Sequence, residues 1–159
     1  MERDKAERAE FLMKAAYHAQ MEKDYDSAID LYKRSLEEHP TAEAHTFLGW
    51  TYSYQDKLEE AIAECMRAIE VDPDFGNPYN DIGSYLMKQG KLDQAVEWLE
   101  KAKVAPRYEP RHFPYLNLGR LYLATGRYDE ARRELAQARF VFENLVRPPR
   151  AGRGAPAVN

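Results

Sequence analysis

The chain has 159 residues, 44% of them hydrophobic and 31% charged, with a formal net charge of −4. That is enough for one folded domain with a continuous core, and too near neutrality for polyanion binding by bulk charge. One cysteine, Cys65, excludes an intramolecular disulfide, and no stretch approaches the roughly 18 apolar residues of a membrane span.

The charged start, Met1-Glu2-Arg3-Asp4-Lys5, leads into no signal-type apolar run, so a cytoplasmic protein is expected. The charge is uneven. Residues 1–104 carry 13 Lys+Arg against 22 Asp+Glu, and residues 105–159 carry 10 Arg against 5 Asp+Glu. An acidic front and a basic back can steer partners.

In chain order, a first helix is expected from near Arg3, with Glu2, Asp4 and Glu7 placed to suit its dipole. A helix, a short turn and a second helix then recur. Small residues mark the recurrence in three series: Ala16, Gly49, Gly83 and Gly119; Ala28, Ala61, Ala95 and Ala131; Ser35, Ala68, Ala102 and Ala138. Each series steps by 33, 34 and 36 residues. Two helices of a hairpin come closest where a side chain is nearly absent, which explains small residues at these places.

Between the markers the apolar residues follow a helical period. Leu48, Tyr52, Leu58, Ala61, Ile62, Cys65 and Ile69 form one buried face of the second repeat. Gly90 and Gly126 stand where first helices end, as left-handed caps. Lys23 and Asp56 occupy that place in the first two repeats, so those turns are expected to be built differently, with capping by Asp24 or Asp56. Pro40 and Pro73 close second helices. The linker from Val104 to His112 is two residues longer than the preceding one. A last helix is expected over Tyr128 to Val146.

The runs Leu48-Gly49-Trp50-Thr51-Tyr52, Ala61, Ala68, Pro73 and Leu118-Gly119-Arg120-Leu121-Tyr122, Tyr128, Ala131, Ala138 resemble the tetratricopeptide signature. The resemblance covers about residues 9–139. It implies an all-α, right-handed α-solenoid of four helix-turn-helix repeats, about eight helices. The expected domain is 1–146, with repeats at about 9–41, 42–75, 76–109 and 112–146. From Arg147 the composition turns to Arg, Pro, Gly and Ala, and 147–159 is expected to be a disordered tail.

No catalytic or metal-ligating constellation stands out. His18, His39, His45 and His112 make no His-Glu-x-x-His pattern, and Cys65 has no cysteine partner for zinc. No phosphate-cradling glycine loop is present. No cofactor is expected, and an enzyme is disfavoured.

In the family that the chain resembles, the first helix of each repeat lines a concave binding face. The matching positions give a partner-binding set of Tyr17, Phe47, Trp50, Tyr54, Asn80, Asp81, Ser84, Asn117 and Arg120, with Gln20 and Thr46 also on the lining. The aromatic members supply contact area at low ordering cost. Asn, Ser and Arg supply hydrogen bonds to a peptide; the alternative is that Asp81 and Arg120 pair with each other across repeats three and four and leave no free charge for a ligand. Aligned with the acidic-tail receptors of chaperone co-factors, the clamp positions hold Met13, Tyr17, Phe47, Asn77 and Asp81 from repeat one, or Thr46, Trp50, Asp81, Phe113 and Asn117 from repeat two, and neither set is a basic clamp. The leading expectation is a scaffold or adaptor holding a protein or peptide partner. The second is self-association as a structural subunit through Phe140, Phe142 and Leu145, whose apolar segment is unusual at a solenoid end. Nucleic acid is disfavoured by the acidic front.

Overall fold

The computed structural model describes residues 1–146, so the expected tail lies outside the described residues. Among the described residues eight α-helices follow one another: α1 (Glu2–Met21), α2 (Tyr25–Glu38), α3 (Ala42–Tyr54), α4 (Leu58–Val71), α5 (Asn77–Lys88), α6 (Leu92–Val104), α7 (Phe113–Ala124) and α8 (Tyr128–Val141). A π-helical turn, Phe142–Val146, continues α8. The all-α solenoid fold read from the repeat is the fold observed. The described residues form two compact units, one of residues 1–108 and one of residues 109–146.

In the first unit α1–α2, α3–α4 and α5–α6 are antiparallel hairpins, and α2 packs on α3 and α4 on α5. In the second, α7 and α8 form one hairpin. The three small-residue series lie inside these hairpins. Ala16, Ala28, Ala61, Ala95, Ala68 and Ala102 are fully buried, and Ala131 and Ala138 nearly so. At Gly83 a Cβ would stand 2.6 Å from Cγ of Leu99 on the facing helix, so only glycine allows this approach. Ser35, the polar member of its series, donates its hydroxyl to the Ala9 carbonyl at 2.6 Å, which satisfies a group that would otherwise be buried unpaired.

Helix starts follow local chemistry. Asp24 accepts from the Ser27 amide at 3.3 Å and Thr41 from the Ala44 amide at 3.1 Å, each satisfying an orphan donor. Pro78 and Pro114 sit in the first turns of α5 and α7, where no backbone bond is lost.

The turns after α1 and α3 correct one expectation. Gly90 and Gly126 take φ of 77° and 75°, and Lys23 and Asp56 take φ of 63° and 60° in the same role. All four hairpins thus turn alike, and two of them do so with a side chain in the left-handed region, at a cost of about 1–2 kcal/mol per residue. Aspartate tolerates that region better than lysine does. Lys23→Gly is therefore expected to raise stability by roughly 0.5–1 kcal/mol, the relief being offset in part by the entropy glycine adds to the unfolded chain. Denaturant titration checks it; a loss of stability would show that the left-handed turn is not strained.

The longer linker is anchored at its start. Gly76 donates to the Arg107 carbonyl at 2.8 Å and Arg107 donates to the Asp74 carbonyl at 3.0 Å. The Arg107 guanidinium lies over the Phe75 ring, 4.4 Å from its centroid, and also reaches Asp72 and Glu43. Ala105 and Tyr108 are buried beneath this strap.

Candidate partner-binding face

On the first unit, α1, α3 and α5 lie side by side and present one face. An aromatic chain crosses it. Tyr17 meets Phe47 edge-on at 5.5 Å, Phe47 meets Trp50 at 6.1 Å, and Trp50 meets Tyr54 at 6.3 Å. The spacing has a simple origin, because Phe47, Trp50 and Tyr54 fall at three- and four-residue steps on one side of α3. Phe47 also stacks on the buried Tyr32 at 6.2 Å and packs on the core. It is the root of the chain, and Tyr17 (42% exposed), Trp50 (38%) and Tyr54 (53%) are its open surface. Tyr25 on α2 stacks on Tyr54 at 5.5 Å and fixes that ring. Tyr25 was not among the residues singled out from sequence, because it lies at the start of a second helix.

Two lining positions are withdrawn. Gln20 is buried and its Oε1 accepts from the Tyr32 hydroxyl at 2.6 Å. Thr46 is buried and donates to the Ala42 carbonyl at 2.7 Å. Their helix positions fit the face, but each side chain turns to a nearby buried polar group instead.

The polar part of the face lies on α5. Asp81 and Ser84 are half-buried, whereas Asn80 is buried at 7% exposure and hydrogen-bonds to Asp81. Asn80 is thus a support for Asp81 more than a surface group. Burial pushes the Asp81 carboxyl up to about 7, because a desolvated carboxylate prefers to hold its proton. Cys65 and Tyr85 both feel the Asp81 carboxylate, and Tyr54 acts on Tyr85. Cys65 is fully buried and burial drives its thiol well up. It packs as a small hydrophobe and is no activated nucleophile.

A second apolar depression lies between α4 and α6, with a volume of about 420 Å³. Tyr79 and Trp98, 5.9 Å apart, line it, and the Lys101 ammonium sits 4.3 Å over the Trp98 ring. Trp98 was not singled out from sequence either, since its place on a second helix matched no lining position.

On the second unit, Arg120 is exposed and Asn117 half-buried on α7. The apolar C-terminal segment divides. Val141 is buried, while Phe140 and Leu145 are 60% and 66% exposed. Phe142 is 41% exposed and meets His112 edge-on at 5.0 Å, with His112 stacked on Phe113 at 4.4 Å. Burial lowers the basicity of His112.

Two family models for the tetratricopeptide repeat match the chain, one over residues 42–75 and one over 74–144. The chain is a tetratricopeptide repeat protein. It is 30% identical over 95 residues to small glutamine-rich tetratricopeptide repeat-containing protein 2 of Mycosarcoma maydis, covering 59% of this chain and 27% of that protein. The chain thus spans about a quarter of that relative's length. Among solved structures, MamA superposes with a TM-score of 0.72 at 26% identity over 85% of this chain and 78% of that one. The second tetratricopeptide domain of Spaghetti (RPAP3), solved with the HSP90 peptide SRMEEVD, superposes with a TM-score of 0.61 at 23% identity, covering 65% of this chain and 96% of that domain. Among the described residues of this repeat protein no helix is long and apolar enough to cross a membrane.

Proposed function

We propose that this repeat protein is a non-catalytic scaffold or adaptor that holds an extended segment or helix of a partner protein on the face of α1, α3 and α5. One observation carries the proposal: three aromatic side chains, Tyr17, Trp50 and Tyr54, stand open to solvent on a single rigid face while Phe47 ties them to the core. Rigid amphipathic rings of this kind dominate binding energy at protein interfaces. A related fold holding the peptide SRMEEVD supports the class of ligand. Ser84 on α5, and Asn117 and Arg120 on α7, are proposed as polar contacts of their own units.

Trp50→Ala/Tyr54→Ala protein should fold and should lose a partner that wild-type protein enriches from the source cell, read by mass spectrometry beside thermal melts. For the purified partner, Trp50→Ala alone is expected to weaken binding by about 2 kcal/mol. Equal capture by both proteins would remove this face from the proposal. The second reading, self-association, rests on the exposure of Phe140 and Leu145. Sedimentation of wild-type and Phe140→Ser/Leu145→Ser protein over a range of concentrations tests it, and a strict monomer excludes it.

A further inference from the structure

We propose that the Asp81 carboxylate receives a lysine or arginine side chain of the bound segment, so that this face selects a basic partner. The inference rests on the function proposed above and adds the chemistry of the partner.

The first ground is the lack of a cation within its own unit. Asp81 is held by the neutral side chain of Asn80, and among the described residues of the first unit no lysine, arginine or histidine pairs with it. Two acids of α1 and α3 are matched within the unit. Glu10 pairs with Lys14 at 3.0 Å, and Glu43 with Arg107 at 3.4 Å. The second ground is an orphaned hydroxyl. Tyr85 is 3% exposed, its Oη is buried without a hydrogen bond of good geometry, and its approach to Ser53 is only loose. The Ser53 hydroxyl gives its one proton to the Trp50 carbonyl at 2.6 Å, so it has none left for the Tyr85 oxygen. A buried oxygen with no donor, one helical turn from a carboxylate that only a neutral amide holds, is an arrangement that one multi-donor cation satisfies. An ammonium carries three N–H donors and a guanidinium five.

The surroundings suit the rest of such a side chain. Trp50 and Tyr54 on the adjoining α3 offer apolar area to its methylenes and ring faces to its charge. Residues 1–108 carry 14 Lys+Arg against 22 Asp+Glu, a net of −8, which draws a basic segment toward this unit. The preference is opposite in sign to that expected for an acidic peptide such as SRMEEVD.

Proton linkage gives a further signature. Among the described residues of the first unit, the groups near the carboxylate are Asn80 and Tyr85 on α5 and Cys65 on α4, with Ser53 and Tyr54 of α3 next to Tyr85, and none of them is basic. With the carboxyl held near 7, a cation binds the ionised form, so affinity rises with pH until that group is fully ionised.

Phage-displayed random peptides of about 12 residues, panned at pH 8 on wild-type, Asp81→Asn and Trp50→Ala protein, test this. Selected peptides are then measured by fluorescence polarisation. Wild-type protein is expected to enrich peptides with Lys or Arg at a fixed distance from an apolar residue. Their affinity should fall at least tenfold with Asp81→Asn, or when the basic residue is replaced by norleucine. It should fall about tenfold between pH 8 and pH 6 for wild-type protein and stay level for Asp81→Asn. Peptides that depend on Trp50 but lack a basic residue, or that bind Asp81→Asn equally well, would overturn the inference and leave the binding face standing. Peptides indifferent to Trp50→Ala, or no enrichment at all, would overturn both.

Discussion

Glu64→Ala is expected to cost about 3 kcal/mol of stability, the largest loss for a single charged side chain in the first unit. Glu64 projects from α4 into the contact with α3 and is 6% exposed. One carboxylate oxygen lies 2.8 Å from Nδ1 of His45 on α3, and the other meets Arg67 one turn along α4. Removing it strands a nearly buried imidazole nitrogen and leaves a void beside it. The expected cost lies at the low end for breaking a buried charged hydrogen bond, since Arg67, the carboxylate's other partner, is open to water. Glu64→Gln keeps an acceptor for His45 and should lose only about 1 kcal/mol. Urea unfolding of the three proteins gives the comparison. Equal stability of Glu64→Ala and wild type would mean that the bond contributes nothing net across the hairpin.

Asp81→Asn is expected to act in the opposite direction. The Asp81 carboxyl is held near 7, raised from 3.8 by burial. The folded state therefore binds a proton that the unfolded chain has released, throughout the window between these values. Where the folded state binds more protons, stability falls as pH rises. The wild-type protein should lose stability from about pH 4 to pH 7 through this group and regain none above it. Asparagine keeps the shape and hydrogen-bonding capacity without the charge. The variant should match wild type near pH 4 and exceed it by roughly 2 kcal/mol at pH 8, about half of what the full shift would imply, because the carboxylate is partly solvated. Thermal melts of both proteins across this range measure the difference. A gap that is flat with pH would place the carboxyl's titration outside the window.

These two acids were not equally visible in the sequence. The hairpins were legible because three series of small residues keep step, and helix contacts demand small residues at fixed intervals. The aromatic face was legible because Phe47, Trp50 and Tyr54 share one side of a helix already located by the repeat. Asp81 could be assigned to the face by the same register. Its lack of a cation within the first unit, and the buried Tyr85 hydroxyl one turn away, come from three helices meeting in space. The withdrawal of Gln20 toward Tyr32 has the same origin, since a lining position fixes where a Cβ points and a local hydrogen bond decides the rest. Lys23 and Asp56 carry no glycine signal, so their left-handed turns could not be read beforehand. The tetratricopeptide frame imposes that geometry, and the tertiary packing of the hairpins outweighs the local strain.

The most direct test of the binding face is photocrosslinking in the source cell with benzoylphenylalanine placed singly at Tyr54, at Val71 on α4 and at Leu145. All three side chains are well exposed, so each probe can report. A partner adduct from position 54, absent from 71 and 145, is the expected result. An adduct from 145 alone would contradict it and move the working surface to the C-terminal turn.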